Sequence, residues 1–259
     1  MSKFKAAVFD WAGTMIDFGS FAPVGVFVEA FKRFDVTATI EEARGPMGMP
    51  KRDHIATMMA MPSIRTQWER LKARAPTEAD IDEVYAVFVP MNEEVVAQYA
   101  TLVPGAKDAV DALREKGLKI GSTTGYTRSI MERVLPVAAA QGYAPDNLVC
   151  ADDLPEGRPG PLGMYKCFID LVVYPPAAVI KVDDTPPGIA EGVAAGCVTV
   201  GVALSGNIVG LTPEQLAVTP ADQVAALREK ATAELTAAGA DHVIDTVADL
   251  PALVARLEG

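Results

Sequence analysis

The sequence predicts an α/β protein: a parallel sheet flanked by helices, with one inserted helical cap. Three observations carry that reading. Short, apolar, often β-branched runs alternate with helical patterns along most of the chain. The runs are apolar throughout, as strands covered on both faces require. The alternation then fails once, between about residues 20 and 100, where only helical patterns occur. A crossover of that length is an insertion and not a loop.

Taken in order, strands are expected at 6–10, 118–123, 148–151, 179–183, 198–202 and 243–244. Helices are expected between the later ones, at 106–116, 128–141, 162–171 and 187–195. The insertion holds helical patterns at 24–34, 52–60 and 78–99, punctuated by Pro46, Pro50, Pro62 and Pro76. The division is therefore a core of 1–19 plus 101–259 and a cap of 20–100, with hinges near Gly19 and 102–105. Residues 231–240 are alanine-rich, an ordinary helix former.

Composition narrows the function. The chain has 259 residues, 50% of them hydrophobic and 22% charged, enough for a sizeable core. A net charge of −11 repels phosphate backbones and argues against nucleic acid as the main partner. Charge, proline or glycine interrupts every apolar stretch before a membrane span of roughly 20 residues. Met1-Ser2-Lys3-Phe4-Lys5 runs straight into the first strand with no signal-peptide core, so neither a membrane nor a secretory route is expected. Cys150, Cys167 and Cys197 are odd in number and widely spaced, which suits free thiols in a reduced cytoplasm.

In parallel sheets, functional groups gather at the carboxyl ends of the strands. Four loops stand there, and each holds a polar group. They are Asp10-Trp11-Ala12-Gly13-Thr14, Ser122-Thr123-Thr124-Gly125, Gly157-Arg158-Pro159-Gly160, and Asp183-Asp184-Thr185-Pro186-Pro187-Gly188. Singly they are weak, because Asp and Gly are turn formers and Asp before Pro caps helices. Their joint order resembles the haloacid dehalogenase superfamily, whose Rossmann-like core transfers phosphoryl groups through an aspartyl-phosphate.

A carboxylate attacks phosphorus only when its repulsion from the phosphoryl oxygens is relieved, as a bound Mg²⁺ does. The resemblance implies Asp10 as nucleophile and magnesium ligand, Asp184 as a second ligand, and Asp183 as a further ligand or an anchor behind them. Thr124, the amide of Gly125 and the fork of Arg158 would hold the phosphoryl oxygens. Phosphomonoesterases of this group carry a second Asp two residues after the nucleophile to protonate the leaving oxygen. Here that place is Ala12, which offers only its carbonyl, as a metal ligand. Dehalogenases also lack that Asp, but they use no metal and have no need of Asp183-Asp184.

The insertion contains Gly45-Pro46-Met47-Gly48-Met49-Pro50-Lys51-Arg52-Asp53-His54. With Ala12 and Ser122-Thr123-Thr124-Gly125-Tyr126-Thr127, it resembles the phosphonatase (phosphonoacetaldehyde hydrolase) family over essentially the whole chain. That resemblance implies cleavage of a small phosphonate aldehyde to acetaldehyde and phosphate, with Lys51 forming a Schiff base. Carbon–phosphorus cleavage expels a carbanion, and an iminium beside it accepts the electrons as an enamine, so a lysine is what this chemistry requires. A homodimer joined through the cap is implied by the resemblance alone. The rivals are a phosphomonoesterase of the same superfamily and a non-catalytic phosphate-binding protein on this fold.

Local sequence supports an activated Lys51. Pro50 starts a helix, so Lys51 lies in its first turn, where the dipole disfavours positive charge. Arg52 adds like charge and Met47 with Met49 add desolvation, while Asp53 opposes them. Without those neighbours Lys51 reads as an ordinary solvated lysine. His54, three residues on, shares its face and is either a proton carrier or a packed structural histidine. Tyr126 lines the aldehyde pocket or packs in the core; Trp11 and Ser20 shape the pocket on weaker grounds. Met58, Met59 and Met61 read as helix packing, and His242 is given no role.

Overall fold

The computed structural model describes residues 2–259. Five parallel strands form one sheet: β1 (Ala6–Phe9), β2 (Lys119–Ser122), β3 (Val179–Asp183), β4 (Val198–Val202) and β5 (His242–Ile244). Their spatial order is β2-β1-β3-β4-β5. From β1 the chain moves to β2 on one side and later returns to β3 on the other. This reversal opens a crevice at the carboxyl ends of β1, β2 and β3, the usual ligand position in an open parallel sheet.

Between β1 and β2 lie helices α1 (Ala22–Lys32), α2 (Ile40–Arg44), α3 (Lys51–Ala60), α4 (Pro62–Lys72), α5 (Glu78–Val95) and α6 (Ala106–Glu115). The later helices are α7 (Arg128–Ala140), α8 (Leu162–Leu171), α9 (Pro186–Ala195), α10 (Pro213–Val218), α11 (Ala221–Ala237) and α12 (Leu250–Glu258). Helix α4 carries no sequence expectation above, although Pro62 stands at its first turn and Ile64 and Trp68 bury one face. The run expected to be helical over 78–99 ends as α-helix at Val95 and tightens to 3₁₀ over Val96–Tyr99.

β1 is covered on both faces, as its continuous apolar run demands. Ala7 and Phe9 join one hydrophobic cluster, while Ala6 and Val8 join another on the opposite face. Residues 24–88 of the inserted block form a cluster of their own, in which Phe27 stacks on Phe88 with ring centres 4.3 Å apart.

The expected strand at 148–151 does not form. Only Val149 pairs with Thr123, its amide donating to the Ser122 carbonyl and its carbonyl accepting from the Thr124 amide. The next amide, that of Cys150, is instead bound at 2.8 Å by the Asp153 carboxylate, which turns the chain away from the sheet.

Candidate active site

Asp10, Ala12, Met47, Lys51, Thr124, Gly125, Tyr126 and Arg158 line one small cleft, about 290 Å³ of atom-free space that includes its opening to solvent. It lies at the carboxyl end of β1, where Asp10 follows the last strand residue and its amide still bonds the Val182 carbonyl at 3.0 Å. The four loops of the core converge there with one loop of the insertion.

Beneath the cavity is a buried charge network. Arg158 Nη1 donates to Asp10 Oδ1 at 2.8 Å, and Arg158 Nε donates to Glu191 Oε2 at 3.0 Å. Arg158 Nη2 donates to both the carbonyl and the hydroxyl of Thr123. Lys181, at the centre of β3 and wholly buried, reaches Thr123 Oγ1 at 2.7 Å and both Asp183 and Glu191 at 3.1 Å. Asp183 in turn accepts the amide and hydroxyl of Thr185. Thr185 itself caps α9, so neither aspartate is spent on that helix.

Four buried carboxylates, Asp10, Asp183, Asp184 and Glu191, face three buried cations, Arg158, Lys181 and Lys51. The carboxylates outnumber the cations. Burial and the neighbouring Asp183 raise Asp10 to about 6, against the pull of Arg158 and Lys181. Burial, Asp10 and Asp183 hold Asp184 well above the usual carboxylate range. For Asp183, burial raises the pKa, but Arg158 and Lys181 outweigh it and hold the carboxyl low. Oxygens of Asp10, Asp183 and Asp184 lie within 4.8 Å of one another. Thr14 Oγ1 and the Asn207 amide fix Asp184 at 3.0 and 2.8 Å. The Ala12 carbonyl accepts no hydrogen bond among the described residues. An all-oxygen, buried site where three carboxylates converge fits a hard divalent cation.

The loop from the insertion is seated directly on the core loops. Gly48 has φ +92°, and a Cβ there would meet Thr185 Oγ1 at 2.2 Å. A Cβ on Gly125 would meet the Met49 carbonyl at 2.7 Å, so the two backbones touch. Pro50 precedes α3, and Lys51 is its first residue, as expected. The Lys51 side chain is buried, with Nζ 5.0 Å from the Tyr126 ring centre and 5.7 Å from that of Phe27. Burial is the main cause that lowers its pKa to about 8; Arg158 adds to the shift, while Asp10 and Asp184 oppose it. The expected contribution of Arg52 is absent. Its guanidinium faces outward and is neutralised by Glu78 and Asp82 at 2.8 Å each.

His54 is buried one turn behind Lys51 and does not line the cavity. Its ring stacks on Phe27 at 3.8 Å, and Nε2 lies 2.9 Å from the Ala43 carbonyl. That contact puts the proton on Nε2 and leaves Nδ1 as a buried lone pair with no partner among the described residues. Burial, then Lys51, push its pKa well below the usual histidine range, so the ring is neutral. Ser20 lines the cavity, whereas Trp11 points into the core against Tyr143 at 5.1 Å. Met58 and Met59 are buried in the cluster of the insertion.

Sequence reasoning missed Lys181, Glu191 and Asn207 as parts of the site, and gave Thr14 and Thr123, which lie in two of its loops, no role of their own. Lys181 did leave a signal. A lysine inside an apolar strand buried on both faces needs a partner carboxylate, and Glu191 in the following helix is that partner.

Comparison with known proteins follows the same lines. The haloacid dehalogenase-like hydrolase family matches residues 4–196, and the chain belongs to that family. A relative from Paraburkholderia phytofirmans, named phosphonoacetaldehyde hydrolase, is 51% identical, covering 100% of this chain and 97% of its own. One of the same name from Klebsiella pneumoniae is 48% identical, covering 99% and 96%. A crystal structure described as a phosphonoacetaldehyde hydrolase-like protein from Oleispira antarctica superposes with a TM-score of 0.97 at 42% identity, over 99% of this chain and 93% of that one. A hydrolase from Pseudomonas syringae, at 17% identity and a TM-score of 0.72 over 98% of this chain and 100% of its own, shares the fold.

Proposed function

We propose that this chain cleaves the carbon–phosphorus bond of phosphonoacetaldehyde to give acetaldehyde and phosphate. The observation that carries the reading is a buried lysine with a lowered pKa, Lys51, in the same cavity as a nucleophile-competent aspartate, Asp10, with Ala12 where an ester-cleaving enzyme needs an acid. Relatives of that name at about half identity over the full chain support it.

In this reading the Lys51 amine adds to the aldehyde carbon and water leaves, giving a protonated imine. An Asp10 oxygen then attacks phosphorus. The carbon–phosphorus pair moves into a carbon–carbon double bond as the iminium nitrogen takes up its electrons. Protonation and hydrolysis of that enamine release acetaldehyde and free Lys51, and water cleaves the aspartyl-phosphate. Thr124, the Gly125 amide and Arg158 hold the phosphoryl oxygens, while Met47 and Tyr126 enclose the aldehyde end. His54, packed behind Lys51 and outside the cavity, would act as a proton carrier through its unpartnered Nδ1 only where substrate binding brings a donor to it.

Asp10, Asp184 and the Ala12 carbonyl, with Asp183 behind them, would hold Mg²⁺, which when bound would offset the repulsion between carboxylate and phosphoryl oxygens. The chain divides into a core of 1–19 with 101–259 and a cap of 20–100. It works as a homodimer joined through the cap, in the cytoplasm. No helix of the described residues is long and apolar enough to cross a membrane. Phosphate release from phosphonoacetaldehyde, with and without Mg²⁺, tests the activity, and sedimentation tests the dimer. Absence of phosphate release with Mg²⁺ present overturns the reading.

A further inference from the structure

Arg44 closes α2 and immediately precedes the loop 45–50 that carries Lys51. Its Nη1 donates to the Gly19 carbonyl at 2.8 Å, to the Asn207 carbonyl at 3.1 Å and to Asn207 Oδ1 at 3.0 Å. Asn207 Nδ2 donates back to the Arg44 carbonyl at 3.1 Å, so the two residues grip each other through side chain and backbone. The guanidinium carbon lies 5.0 Å from the Phe21 ring centre. A Cβ at Gly210 would lie 2.7 Å from the guanidinium carbon, so the loop beyond Asn207 is shaped to receive it.

The same loop holds the catalytic side of the core. The Asn207 amide donates to Asp184 Oδ2 at 2.8 Å. Ser205 Oγ donates to the Gly13 carbonyl at 2.8 Å, beside the nucleophile, and the Ser205 carbonyl accepts the Gly19 amide at 2.8 Å. Residues 205–210 thus touch the Asp184 carboxylate, the loop of Asp10, the linker at Gly19 and the base of the Lys51 loop. No other hydrogen bond joins Arg44 to the core among the described residues, and the charges of Asp17 and Asp184 attract its guanidinium to the same place.

We propose that Arg44 and Asn207 are positioning residues: a latch that sets the Lys51 loop in register with Asp184 and Asp10. The functional half of this proposal rests on the reading of Lys51 as the imine-forming group. Because one residue, Asn207, binds Asp184 through its backbone and Arg44 through its side chain, seating of the loop and ordering of Asp184 favour each other, and the coupling is reciprocal.

Asn207→Ala is the clean test, since it keeps the amide bond to Asp184 and removes only the side-chain half of the latch. Arg44→Lys keeps the charge but loses the planar fork. Hydrogen exchange on the metal-free full-length protein reads the latch without reference to catalysis. Exchange over 45–50 should rise roughly tenfold to a hundredfold in both variants, the equivalent of a hydrogen bond to a charged group. Amides of β1 and β3 should stay protected. The rate of borohydride trapping at Lys51 should fall by a similar factor. The double variant should raise exchange by less than the product of the two single effects, because the bond from Arg44 Nη1 to Asn207 Oδ1 is lost in both. Unchanged exchange over 45–50 overturns the latch. Raised exchange with an unchanged trapping rate overturns its positioning role. If the parent protein itself does not trap at Lys51, the imine reading fails, and the exchange result alone decides the latch.

Discussion

Arg158 Nη1 stands 2.8 Å from Oδ1 of Asp10, so the carboxylate proposed as the nucleophile is paired with a guanidinium fixed before substrate arrives. The guanidinium is held on its other edges by Glu191 and Thr123, which leaves it little freedom to follow Asp10 alone. A phosphoryl group delivered to Asp10 meets a donor already in place, and preorganised charge is where catalytic electrostatics gain most.

Asp10→Asn keeps the shape and removes the nucleophile. Phosphate release should fall roughly 10³-fold or more, the scale on which loss of a covalent nucleophile is felt. Borohydride trapping at Lys51 should persist, because imine formation does not use Asp10. Mass spectrometry of the quenched variant checks both statements.

Glu191 touches neither cavity nor substrate in this account; it holds Arg158 and Lys181. Glu191→Ala takes from two buried cations one of their carboxylate partners, leaving Asp183 and Asp10, and should cost up to about 3 kcal/mol by urea unfolding. Glu191→Gln keeps the hydrogen-bonding shape and should fold, with kcat lowered more than KM is raised. Equal kcat in Glu191→Gln would mean that Arg158 is aligned without it.

The acidic cluster sets a pH dependence for metal binding. Asp10 has a folded pKa of about 6 against 3.8 unfolded, so its protonated form is favoured by folding. That contribution is present below the unfolded value and is lost as pH rises through about 6. The metal-free protein therefore gives up roughly 3 kcal/mol from this group across that window, at about 1.4 kcal/mol per unit. Mg²⁺ bound at this cluster would displace the proton and relieve the repulsion, so the rise in Tm on adding Mg²⁺ should grow from pH 5 to pH 7. Asp184→Asn should melt above the parent without divalent cation and below it with Mg²⁺ present.

Lys51 titrates in the opposite sense. Burial lowers its pKa to about 8 from 10.5, so the folded protein binds fewer protons than the unfolded chain between those values, and stability rises with pH there. At pH 7 the buried amine is charged and costs up to about 3 kcal/mol. Lys51→Met should stabilise the protein at pH 7, lose that advantage above pH 10.5, and be inactive throughout. Thermal melts across pH give the first two results, and a phosphate assay gives the third.

The core was legible in the sequence wherever local pattern and tertiary context agree. The apolar runs at 6–10 and 179–183 need cover on both faces, and the alternation with helices supplies it. Pro50 announced the start of α3 and so the place of Lys51. The run at 148–151 has the same apolar character, but one bond from Asp153 to the Cys150 amide ends its pairing, and composition does not report a competing carboxylate. Arg52 looked like a neighbour of Lys51 because it is adjacent in sequence; helix geometry sends it to the opposite side, to Glu78 and Asp82. Arg158, distant in sequence, takes its place. Glu191 and Asn207 act through contacts that span the fold, and no local spacing marks them.

The central claim is that Lys51 bonds covalently to the substrate, and one measurement addresses it directly. Borohydride added during turnover of phosphonoacetaldehyde reduces an iminium to a stable secondary amine, so activity should be lost irreversibly and peptide mapping should place the adduct on Lys51. Lys51→Arg keeps the charge but forms no imine and should neither trap nor turn over. An adduct on Lys107, Lys166 or Lys181, or hydrolysis by Lys51→Arg at the parent rate, would contradict the account.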